Sequence, residues 1–384
     1  MMMDGQGLFT SVVPFLTDVV KLAALVAVFV LAILCAIAVK KDRELRDTVV
    51  SIAKGVKEPS DEDRRRVRRG FRLGGHVVKW PGSWSSQEDA VIAGADIACK
   101  LWPDEQVLPL EWSPGYWRQR TGERPIISLR RWFSRCSSSI DRLILTDDVD
   151  WWPVWIEWRT RHLLVVGLSG SGKGSITANL MREAAPYIQK GIVRMSMIDL
   201  KGGMESAFMG SLLAEQATDI DSAAKLISRM RADCQARARE MAGVSRSHTP
   251  TPESPRQVLI IDEAGELFRQ DRKTRESIIN DLNAILATGR ACGYIVWAMT
   301  QNPRVDSLPI RHGFTQSICL RVHDQTEAKM VLGEAAIRDG ATPWAIVPSR
   351  PGTAWMYNDE LGAAQLFRVP FVTDEELRHL GETD

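Results

Sequence analysis

The distribution of hydrophobic positions changes twice along the chain. Leu22 to Val39 is an uninterrupted apolar stretch of eighteen residues, which as a helix would be about 27 Å long. Between residues 73 and 150, turn formers separate short apolar segments, and a helical pattern is clear only at Gln87–Leu101. From about residue 150 onward, short apolar runs alternate with amphipathic helical segments, which predicts an α/β fold.

The α/β part contains strand-like apolar runs at 153–158, 162–166, 192–199, 257–261, 293–299 and 316–322. Two of the segments between them have an apolar helical face. These faces consist of Leu226, Ile227, Met230, Cys234 and Met241 in the first segment, and of Ile278, Leu282, Ile285 and Leu286 in the second. Short apolar strands separated by helices predict a mostly parallel sheet that is covered on both faces.

A glycine-rich segment follows the run at 162–166 and precedes a helix-compatible segment over 176–183. A strand, a glycine-rich turn and a helix start form a phosphate-binding loop (P-loop), in which backbone N–H groups and the helix dipole face the phosphates. The lysine of such a loop neutralises the terminal phosphates. We therefore expect ATP to bind at Gly167, Ser169, Gly170, Ser171, Gly172, Lys173, Gly174 and Ser175.

The residue after the lysine is irregular. The consensus places Ser or Thr there to hold Mg²⁺, whereas this chain has Gly174 and then Ser175. The sequence predicts Ser175 as the magnesium-binding hydroxyl and leaves its register open.

Two acids, Asp262 and Glu263, follow the apolar run Val258–Ile261. The carboxyl end of a strand is where a parallel α/β sheet places ligands. We expect Asp262 to hold Mg²⁺ through water and Glu263 to polarise the attacking water. Adjacent acids can also cap a strand or begin a helix, but the P-loop upstream favours the catalytic interpretation. A glutamate directly after the aspartate suggests hydrolysis rather than phosphoryl transfer.

Gln301 ends another strand-like run and is a candidate for contacting the γ-phosphate or the lytic water. The following Asn302-Pro303 also fits a simple turn at a strand end. Arg290, at the end of the preceding helix, is a candidate for an arginine that a neighbouring subunit supplies to stabilise transition-state charge. Arg311 and Arg321 are alternatives for that role.

The apolar stretch over 22–39 has the length of a bilayer core. Four basic residues, Lys40, Lys41, Arg43 and Arg46, follow it directly, which predicts an outside N-terminus and a cytoplasmic C-terminal part. A cleaved signal peptide and a buried core helix are alternatives, but a signal peptide would export an ATPase away from its ATP. We predict a single-pass cell-membrane protein with a short extracytoplasmic N-terminus at 1–21, a transmembrane helix at 22–39 and a basic juxtamembrane segment at 40–72.

Tryptophan is concentrated upstream of the P-loop, with ten of the thirteen tryptophans between Trp80 and Trp158. Such residues can stack on bases, but more often fill a small core or an interface. We therefore predict a Trp-rich accessory domain at 73–150. The net charge of +1 does not indicate a nucleic-acid binder. The six scattered cysteines indicate neither a zinc site nor a disulfide framework.

Six segments together resemble the FtsK/SpoIIIE family of membrane-anchored DNA translocases. They are most similar to the transfer (Tra) proteins of actinobacterial conjugative plasmids and integrative elements. The segments are GLSGSGKGS at 167–175, IDLKGGMES at 198–206, VLIIDEAGEL at 258–267, GRACGYIVWAMTQNP at 289–303, VLGEAAIRDGAT at 331–342 and PGTAW at 351–355. The ordered set is more specific than any single motif.

The resemblance implies a RecA-like P-loop motor domain at 151–378, assembled as a homo-hexamer with ATP between subunits and double-stranded DNA in the pore. It also implies that the Asp199–Lys201 segment couples nucleotide state to the pore loops. Three features differ from the family. FtsK has several membrane spans, whereas one is predicted here. A C-terminal winged-helix module is not expected after residue 378. Thr315-Gln-Ser317 stands where relatives have Thr-Arg.

The leading hypothesis is an ATP- and Mg²⁺-dependent pump for double-stranded DNA at the cytoplasmic membrane, serving plasmid or mobile-element transfer. The alternatives are an FtsK-like ATPase of type VII protein secretion, a coupling protein for single-stranded DNA, and a scaffold with a degenerate nucleotide site. Intact Lys173, Asp262 and Glu263 argue against the scaffold. Because pore loops contact phosphates through basic side chains or backbone N–H groups, we expect DNA contacts among Lys201–Ser206, Arg269–Arg275 and Arg304.

Overall fold

The computed structural model describes residues 6–72, 75–113, 116–122, 138–148 and 152–382. Its first part forms an antiparallel sheet with strand order β1-β2-β4-β3, on which helices pack. The elements are α1 (Gln6–Lys54), α2 (Asp61–Arg66), β1 (Arg68–Arg72), β2 (Gly75–Pro81), α3 (Gln87–Leu101), β3 (Glu111–Ser113) and β4 (Tyr116–Arg120). The helix predicted at Gln87–Leu101 is confirmed with the same bounds.

The C-terminal part of α1 belongs to the core of this first part. Val49 and Val50 are fully buried there, together with Trp80 and Ile97. In the preceding turns of α1 the apolar side chains face outward instead, and Phe29 and Val39 are 68% and 70% exposed. One helix thus contains a packed apolar segment and an unpacked one.

The structure gives no support to the membrane span predicted at 22–39. Across the part of the chain that the structure describes, none of the helices has an apolar stretch long enough to cross a bilayer. The predicted extracytoplasmic segment at 1–21, and residues 22–27 and 32 of the predicted span, lie outside the residues whose side chains are described.

The second part is an eight-stranded sheet with strand order β14-β13-β12-β7-β11-β10-β8-β9, and a separate two-stranded hairpin, β5-β6. All neighbours from β12 to β9 are parallel, and β13 and β14 extend the sheet antiparallel. Its elements are β5 (Arg142–Asp147), β6 (Pro153–Glu157), β7 (Leu163–Val166), α4 (Lys173–Gln189), β8 (Val193–Asp199), β9 (Glu215–Ala217), α5 (Ile220–Met241), β10 (Arg256–Asp262), α6 (Arg272–Cys292), β11 (Tyr294–Thr300), β12 (Gln316–Cys319), α7 (Gln325–Arg338), β13 (Thr353–Asn358), β14 (Ala363–Arg368) and α8 (Asp374–Glu382). The predicted mostly parallel α/β sheet is confirmed.

The sheet is buried on both faces, as its apolar strands require. Along β10, Leu259 and Ile261 pack with α5 and α6, while Val258 and Ile260 pack with α4 and the β5-β6 hairpin. This alternation follows from the two-residue period of a strand. Because β7, β11, β10 and β8 are parallel, their carboxyl ends lie at one edge of the sheet.

The first part contacts the second through α3 and α7. Lys329 Nζ lies 2.6 Å from Glu88 Oε1, and Gln87 Nε2 donates a hydrogen bond of 3.0 Å to the Arg338 carbonyl oxygen. Residues 73–74, 114–115, 123–137 and 149–150 of the predicted accessory domain lie outside the described residues. The predicted domain boundaries stay predictions, although Leu143 of β5 packs in the same core as α4.

Candidate nucleotide-binding site

The P-loop joins β7, which is fully buried, to the first turn of α4. Gly170 and Gly172 have φ angles of +71° and +101°, a conformation that side chains other than glycine rarely adopt. These two positions turn the chain sharply before the helix begins at Lys173. The loop therefore has the strand–turn–helix geometry that its sequence predicts.

A second loop, at 351–352, lies directly against the P-loop. The backbone N–H of Gly352 donates a hydrogen bond of 2.8 Å to the carbonyl oxygen of Ser171. A Cβ atom on Gly172 would lie only 2.2 Å from the nitrogen of Gly352. Glycine at 172 is thus required by its positive φ and by this close backbone approach.

Lys173 is held within the P-loop. Its Nζ donates hydrogen bonds to the carbonyl oxygens of Gly167 (2.7 Å) and Leu168 (3.3 Å). Burial lowers the pKa of the Lys173 ammonium, and the nearby carboxylates of Glu263 and Asp262 oppose this shift. The ammonium group is therefore placed between the loop backbone and the two acids.

Asp262 ends β10, and its carboxylate is mostly buried. Burial raises its pKa to about 6. Lys201 opposes this shift, while the carboxylates of Asp199, Glu205 and Glu263 add to it. A carboxylate in this environment is stabilised by any cation that approaches it. Such an environment is typical of a functional site.

Glu263 follows with a φ of +52°, and among the described residues no other non-glycine residue has a positive φ. A left-handed backbone at such a residue costs on the order of 1–2 kcal/mol and persists where the surroundings enforce it. Here the enforcement comes from hydrogen bonds to its carboxylate. Thr300 Oγ1 (3.3 Å) and the Gln301 N–H (3.1 Å) donate to Oε1, and Gln301 Nε2 donates to Oε2 (2.7 Å).

Lys201 reaches the same two acids. Its Nζ lies 3.9 Å from Asp262 Oδ2 and 3.6 Å from Glu263 Oε2. The loop that carries Lys201 is organised by Asp199, whose buried carboxylate accepts hydrogen bonds from the N–H groups of Lys201 (3.1 Å), Glu205 (2.9 Å) and Ser206 (3.2 Å). Lys201 thus lies beside the two acids, and the DNA contact predicted for it stays a prediction.

Lys173, Lys201 and Asp262 line one cavity of about 380 Å³ at the carboxyl edge of the sheet. Its walls include residues from the P-loop, from the two acidic strand ends and from the C-terminal segment: Ser169, Gly170, Gly172, Lys173, Gly174, Ser175, Lys201, Glu205, Phe208, Met209, Asp262, Gln301, Phe371, Val372, Asp374 and Leu377. Gly167 and Ser171 lie just behind this wall. The hydroxyl of Ser171 is buried and has no hydrogen-bond partner among the described residues.

The backbone N–H groups and side chains of this cavity fit a nucleoside triphosphate with Mg²⁺. Loop N–H groups and Lys173 suit phosphate oxygens, and Asp262 suits the metal. Among the described residues, no three or more His, Cys, Asp and Glu side chains are spaced to hold a metal ion. A nucleotide-bound Mg²⁺ needs only one or two protein carboxylates, because phosphates and waters complete its octahedron.

Residues 137–347 match the FtsK/SpoIIIE family. The chain belongs to this family of P-loop ATPases. The matched range includes the P-loop, both acids and Gln301, and it ends before the loop at 351–352 that contacts the P-loop.

Among individual family members, the chain is 28% identical over 248 residues to the DNA translocase FtsK of Bacillus cereus, covering 58% of this chain and 29% of that protein. It is 26% identical over 255 residues to Protein Tra of Streptomyces lividans, covering 57% of this chain and 38% of that protein. The chain thus matches less than half of the length of each relative.

The fold is similar to that of the pCW3 conjugation coupling protein TcpA, solved in its monomer form with ATPγS. The TM-score is 0.58 at 16% identity, and the similarity covers 88% of this chain and 98% of TcpA. At this identity the comparison concerns the fold alone. It includes most of the chain, and not only the range that matches the family.

The predicted site residues of this FtsK/SpoIIIE chain fall into two groups. Lys173, Asp262 and Gln301 line the nucleotide cavity, and Glu263 lies beside it, hydrogen-bonded to Gln301. Arg290 does not: it lines a different cavity of about 530 Å³, with Arg161 and Arg246. The two cavities share no lining residue, so Arg290 does not reach the nucleotide site of its own subunit.

Sequence analysis missed Glu205 and the C-terminal wall formed by Phe371, Val372, Asp374 and Leu377. Glu205 lies in one of the segments that carry the family resemblance, so a signal for it was present. The residues of the C-terminal wall lie outside every recognised motif, and only the fold brings them to the cavity.

Proposed function

We propose that the protein is an ATP-driven translocase of double-stranded DNA that moves plasmid or mobile-element DNA during conjugative transfer. The observation that carries this proposal is that Lys173, Asp262 and Gln301 line one cavity in an FtsK/SpoIIIE chain, with the Glu263 carboxylate bound to Gln301. The similarity to Protein Tra supports transfer rather than chromosome segregation. The names of these relatives support DNA as the cargo.

In this proposal Glu263 accepts the proton of a water molecule as its oxygen bonds to the γ-phosphorus and the bond to the β-phosphate breaks. Gln301 and Thr300 fix the position of the Glu263 carboxylate. Lys173 neutralises the terminal phosphates, and Mg²⁺, held at Asp262, would neutralise charge on the β- and γ-phosphates. Lys201 limits the electrostatic repulsion between Asp262 and Glu263 while one nucleotide leaves the cavity and the next one binds.

We propose a homo-hexameric ring in which Arg290 acts across the subunit interface. Its position away from its own nucleotide cavity supports a role in trans, and its side chain has no ion pair among the described residues. Arg161 of the same cavity is already engaged, because its NH1 lies 2.7 Å from Asp359 Oδ2. Arg290 is therefore the better candidate for reaching a neighbouring subunit.

The proposed DNA contacts are on loops that follow the carboxyl ends of β10 and β11. Arg269 and Arg272 follow β10, and their side chains are 74% and 90% exposed. Arg304 follows β11 and is 56% exposed. These loops begin at the strand ends where Asp262 and Gln301 lie. A conformational change at the nucleotide site can therefore be transmitted directly to the loops.

We further propose attachment to the cytoplasmic membrane through α1, with the N-terminus outside and the ATPase part in the cytoplasm. The exposed apolar side chains at 28–31 and 33–39 support attachment, and the basic residues from Lys40 to Arg46 support the orientation. Replacing Leu31 and Leu34 by Asp should release the protein from sedimented membranes. A double Lys40→Gln, Lys41→Gln variant serves as control and should still sediment, so equal sedimentation of all three proteins would contradict attachment through α1.

The experiment that tests the function measures ATP hydrolysis by the full chain with double-stranded DNA, single-stranded DNA or no DNA. We expect stimulation by the duplex that is absent in a Lys173→Ala variant. Stimulation by single strands alone would replace the proposal with a coupling protein for single-stranded DNA. No response to either nucleic acid would favour a protein cargo, as in type VII secretion.

A further inference from the structure

Gly174 faces the carboxylate of Glu205. A Cβ atom on Gly174 would lie 3.2 Å from Glu205 Oε2 and 3.6 Å from Oε1. This is the helix position at which the consensus P-loop carries a Ser or Thr hydroxyl for Mg²⁺. Glu205 therefore brings an oxygen donor to the place where this chain lacks one.

Ser175 lines the same cavity, but its side chain starts from a different face of α4. Successive residues of an α-helix point about 100° apart, so Ser175 leaves α4 in a different direction from Gly174. Its Cβ atom lies 4.0 Å from the position of a Cβ on Gly352. The Cβ atom of Ser175 is thus beside the 351–352 loop, whereas the carboxylate oxygens of Glu205 lie beside Gly174.

The backbone of Glu205 is fixed while its carboxylate is available. Asp199 Oδ2 accepts a hydrogen bond of 2.9 Å from the Glu205 N–H and one of 3.2 Å from the Ser206 N–H. The Glu205 side chain is exposed in the cavity and forms no hydrogen bond or ion pair with the described residues. An ordered backbone carrying a free carboxylate is suited to binding a cation.

The charge balance of the cavity favours a cation as well. Glu205, Asp262 and Asp374 are its acidic lining residues, and Lys173 and Lys201 are its basic ones. Lys201 already lies within 4 Å of both Asp262 and Glu263, whereas Glu205 has no cation of its own. Mg²⁺ prefers carboxylate oxygens and accepts one or two of them beside substrate phosphates.

We propose that Glu205 is a ligand of the catalytic Mg²⁺ and supplies the oxygen that Gly174 cannot. This inference rests on the proposed ATPase function and adds a residue to its metal site. It also gives a reason for glycine at 174, since a side chain there would compete with the Glu205 carboxylate for the same space.

The test measures metal binding without turnover. Binding of Mn²⁺ to the full chain with ADP is followed by the electron paramagnetic resonance signal of free Mn²⁺, since Mn²⁺ accepts the same ligands as Mg²⁺. Binding of a fluorescent ADP analogue in EDTA is measured in parallel. The variants are Glu205→Gln and the double variant Gly174→Ser with Glu205→Ala. Glu253→Gln, an exposed glutamate outside the cavity, is the matched control.

We expect Glu205→Gln to weaken Mn²⁺ binding roughly 10- to 100-fold, with nucleotide affinity in EDTA equal to wild type. Glu253→Gln should match wild type in both measurements. The double variant should regain much of the Mn²⁺ affinity, because it restores a hydroxyl at the consensus position and removes the neighbouring carboxylate.

Unchanged Mn²⁺ affinity in Glu205→Gln would overturn the proposal. A loss of nucleotide affinity in EDTA would also overturn it, since Glu205 would then shape the loop rather than bind metal. Failure of the double variant to regain affinity would contradict the equivalence of Glu205 and the missing hydroxyl. If the wild-type chain bound no nucleotide under either condition, the proposed ATPase function itself would fall.

Discussion

Gln301 contacts both oxygens of the Glu263 carboxylate. Its Nε2 donates to Oε2 at 2.7 Å, and its backbone N–H donates to Oε1 at 3.1 Å. Gln301 follows β11 and Glu263 follows β10, and these strands are parallel neighbours. The pair therefore links two adjacent strand ends at the point where water would be activated.

This pair predicts distinct effects for its two members. Glu263→Gln should lower kcat for ATP about 100- to 10,000-fold while nucleotide still binds, because proton acceptance is lost. Gln301→Ala should lower kcat roughly 10- to 100-fold with little change in KM, because the carboxylate loses its orientation. Steady-state kinetics check both. The control is Gln270→Ala, whose amide donates only to the Glu266 carbonyl. A Gln301→Ala enzyme with wild-type kcat would contradict the positioning role.

The buried Asp262 carboxyl predicts how stability depends on pH. Burial raises its pKa to about 6, above the value of about 3.9 in an unfolded chain. The folded state thus binds this proton more tightly, so the stabilisation is present below pH 4 and is lost as the pH rises through 6. Relative to Asp262→Asn, wild type should lose on the order of 1–3 kcal/mol of unfolding free energy over that range.

Urea unfolding without Mg²⁺, followed by tryptophan fluorescence at several pH values, measures this difference. Asp306→Asn, at an exposed aspartate, should follow the wild-type curve. If the unfolding free energies of wild type and Asp262→Asn changed with pH in parallel, the pKa of Asp262 would be the same in the folded and unfolded states.

Two loop glycines predict different losses of stability when each is replaced by Ala. Both Gly170 and Gly172 have positive φ, so each replacement costs about 1–2 kcal/mol for the backbone alone. A Cβ at 170 meets no atom within 4 Å, whereas one at 172 would displace the backbone of Gly352. The free energy of unfolding should therefore fall further for Gly172→Ala, by about 1–3 kcal/mol more. Equal losses of unfolding free energy for the two variants would mean that the 351–352 loop can move away from the P-loop at little energetic cost.

The charge of Lys173 predicts a loss of nucleotide affinity. Lys173→Ala should weaken binding of a fluorescent ATP analogue about 10- to 100-fold, because a charge-assisted contact to phosphate is removed. Lys190→Ala changes an exposed lysine at the end of the same helix and should leave the affinity unchanged. Similar affinities for the two variants would place the phosphates elsewhere.

The exposed cations after β10 predict the salt dependence of DNA binding. Replacing Arg269, Arg272 and Lys273 by Gln should weaken stimulation by duplex DNA and make its dependence on salt concentration shallower, by about 0.9 in logarithmic slope per lost phosphate contact. Arg194→Gln, at the opposite end of the sheet, is the control. A triple variant with the wild-type slope would exclude this loop from the DNA interface.

Much of the fold could be predicted because its strands are short, apolar and buried on both faces. The apolar runs at 192–199 and 293–299 lie within one residue of β8 and β11. The positions of Asp262 and Gln301 followed from the same reasoning, since parallel strands end at a shared edge. What periodicity cannot show is antiparallel pairing at the far edge, so β13 and β14 were not expected.

The site was less predictable where it depends on packing between distant segments. The position of Lys201 beside the acids was not predicted, because it depends on a buried aspartate, Asp199, that binds the backbone of its loop. Sequence spacing predicts Ser175 as the metal-binding hydroxyl, and it does not show that Gly174 faces the Glu205 carboxylate. Both arrangements depend on contacts of individual polar side chains, which no pattern of apolar residues records.

The contact between Gly172 and Gly352 also bears on the order in which the chain folds. The two glycines are distant in sequence, and the 351–352 loop is held in turn by the residue after β14, since the N–H of Val369 donates to the Gly352 carbonyl oxygen at 3.1 Å. Contacts between remote segments form slowly, because a long loop must close first. The P-loop therefore acquires its final shape only after the C-terminal hairpin has docked. A nascent chain whose C-terminal hairpin has not yet been synthesised would contain the complete ATP-binding motif and yet be unable to use it.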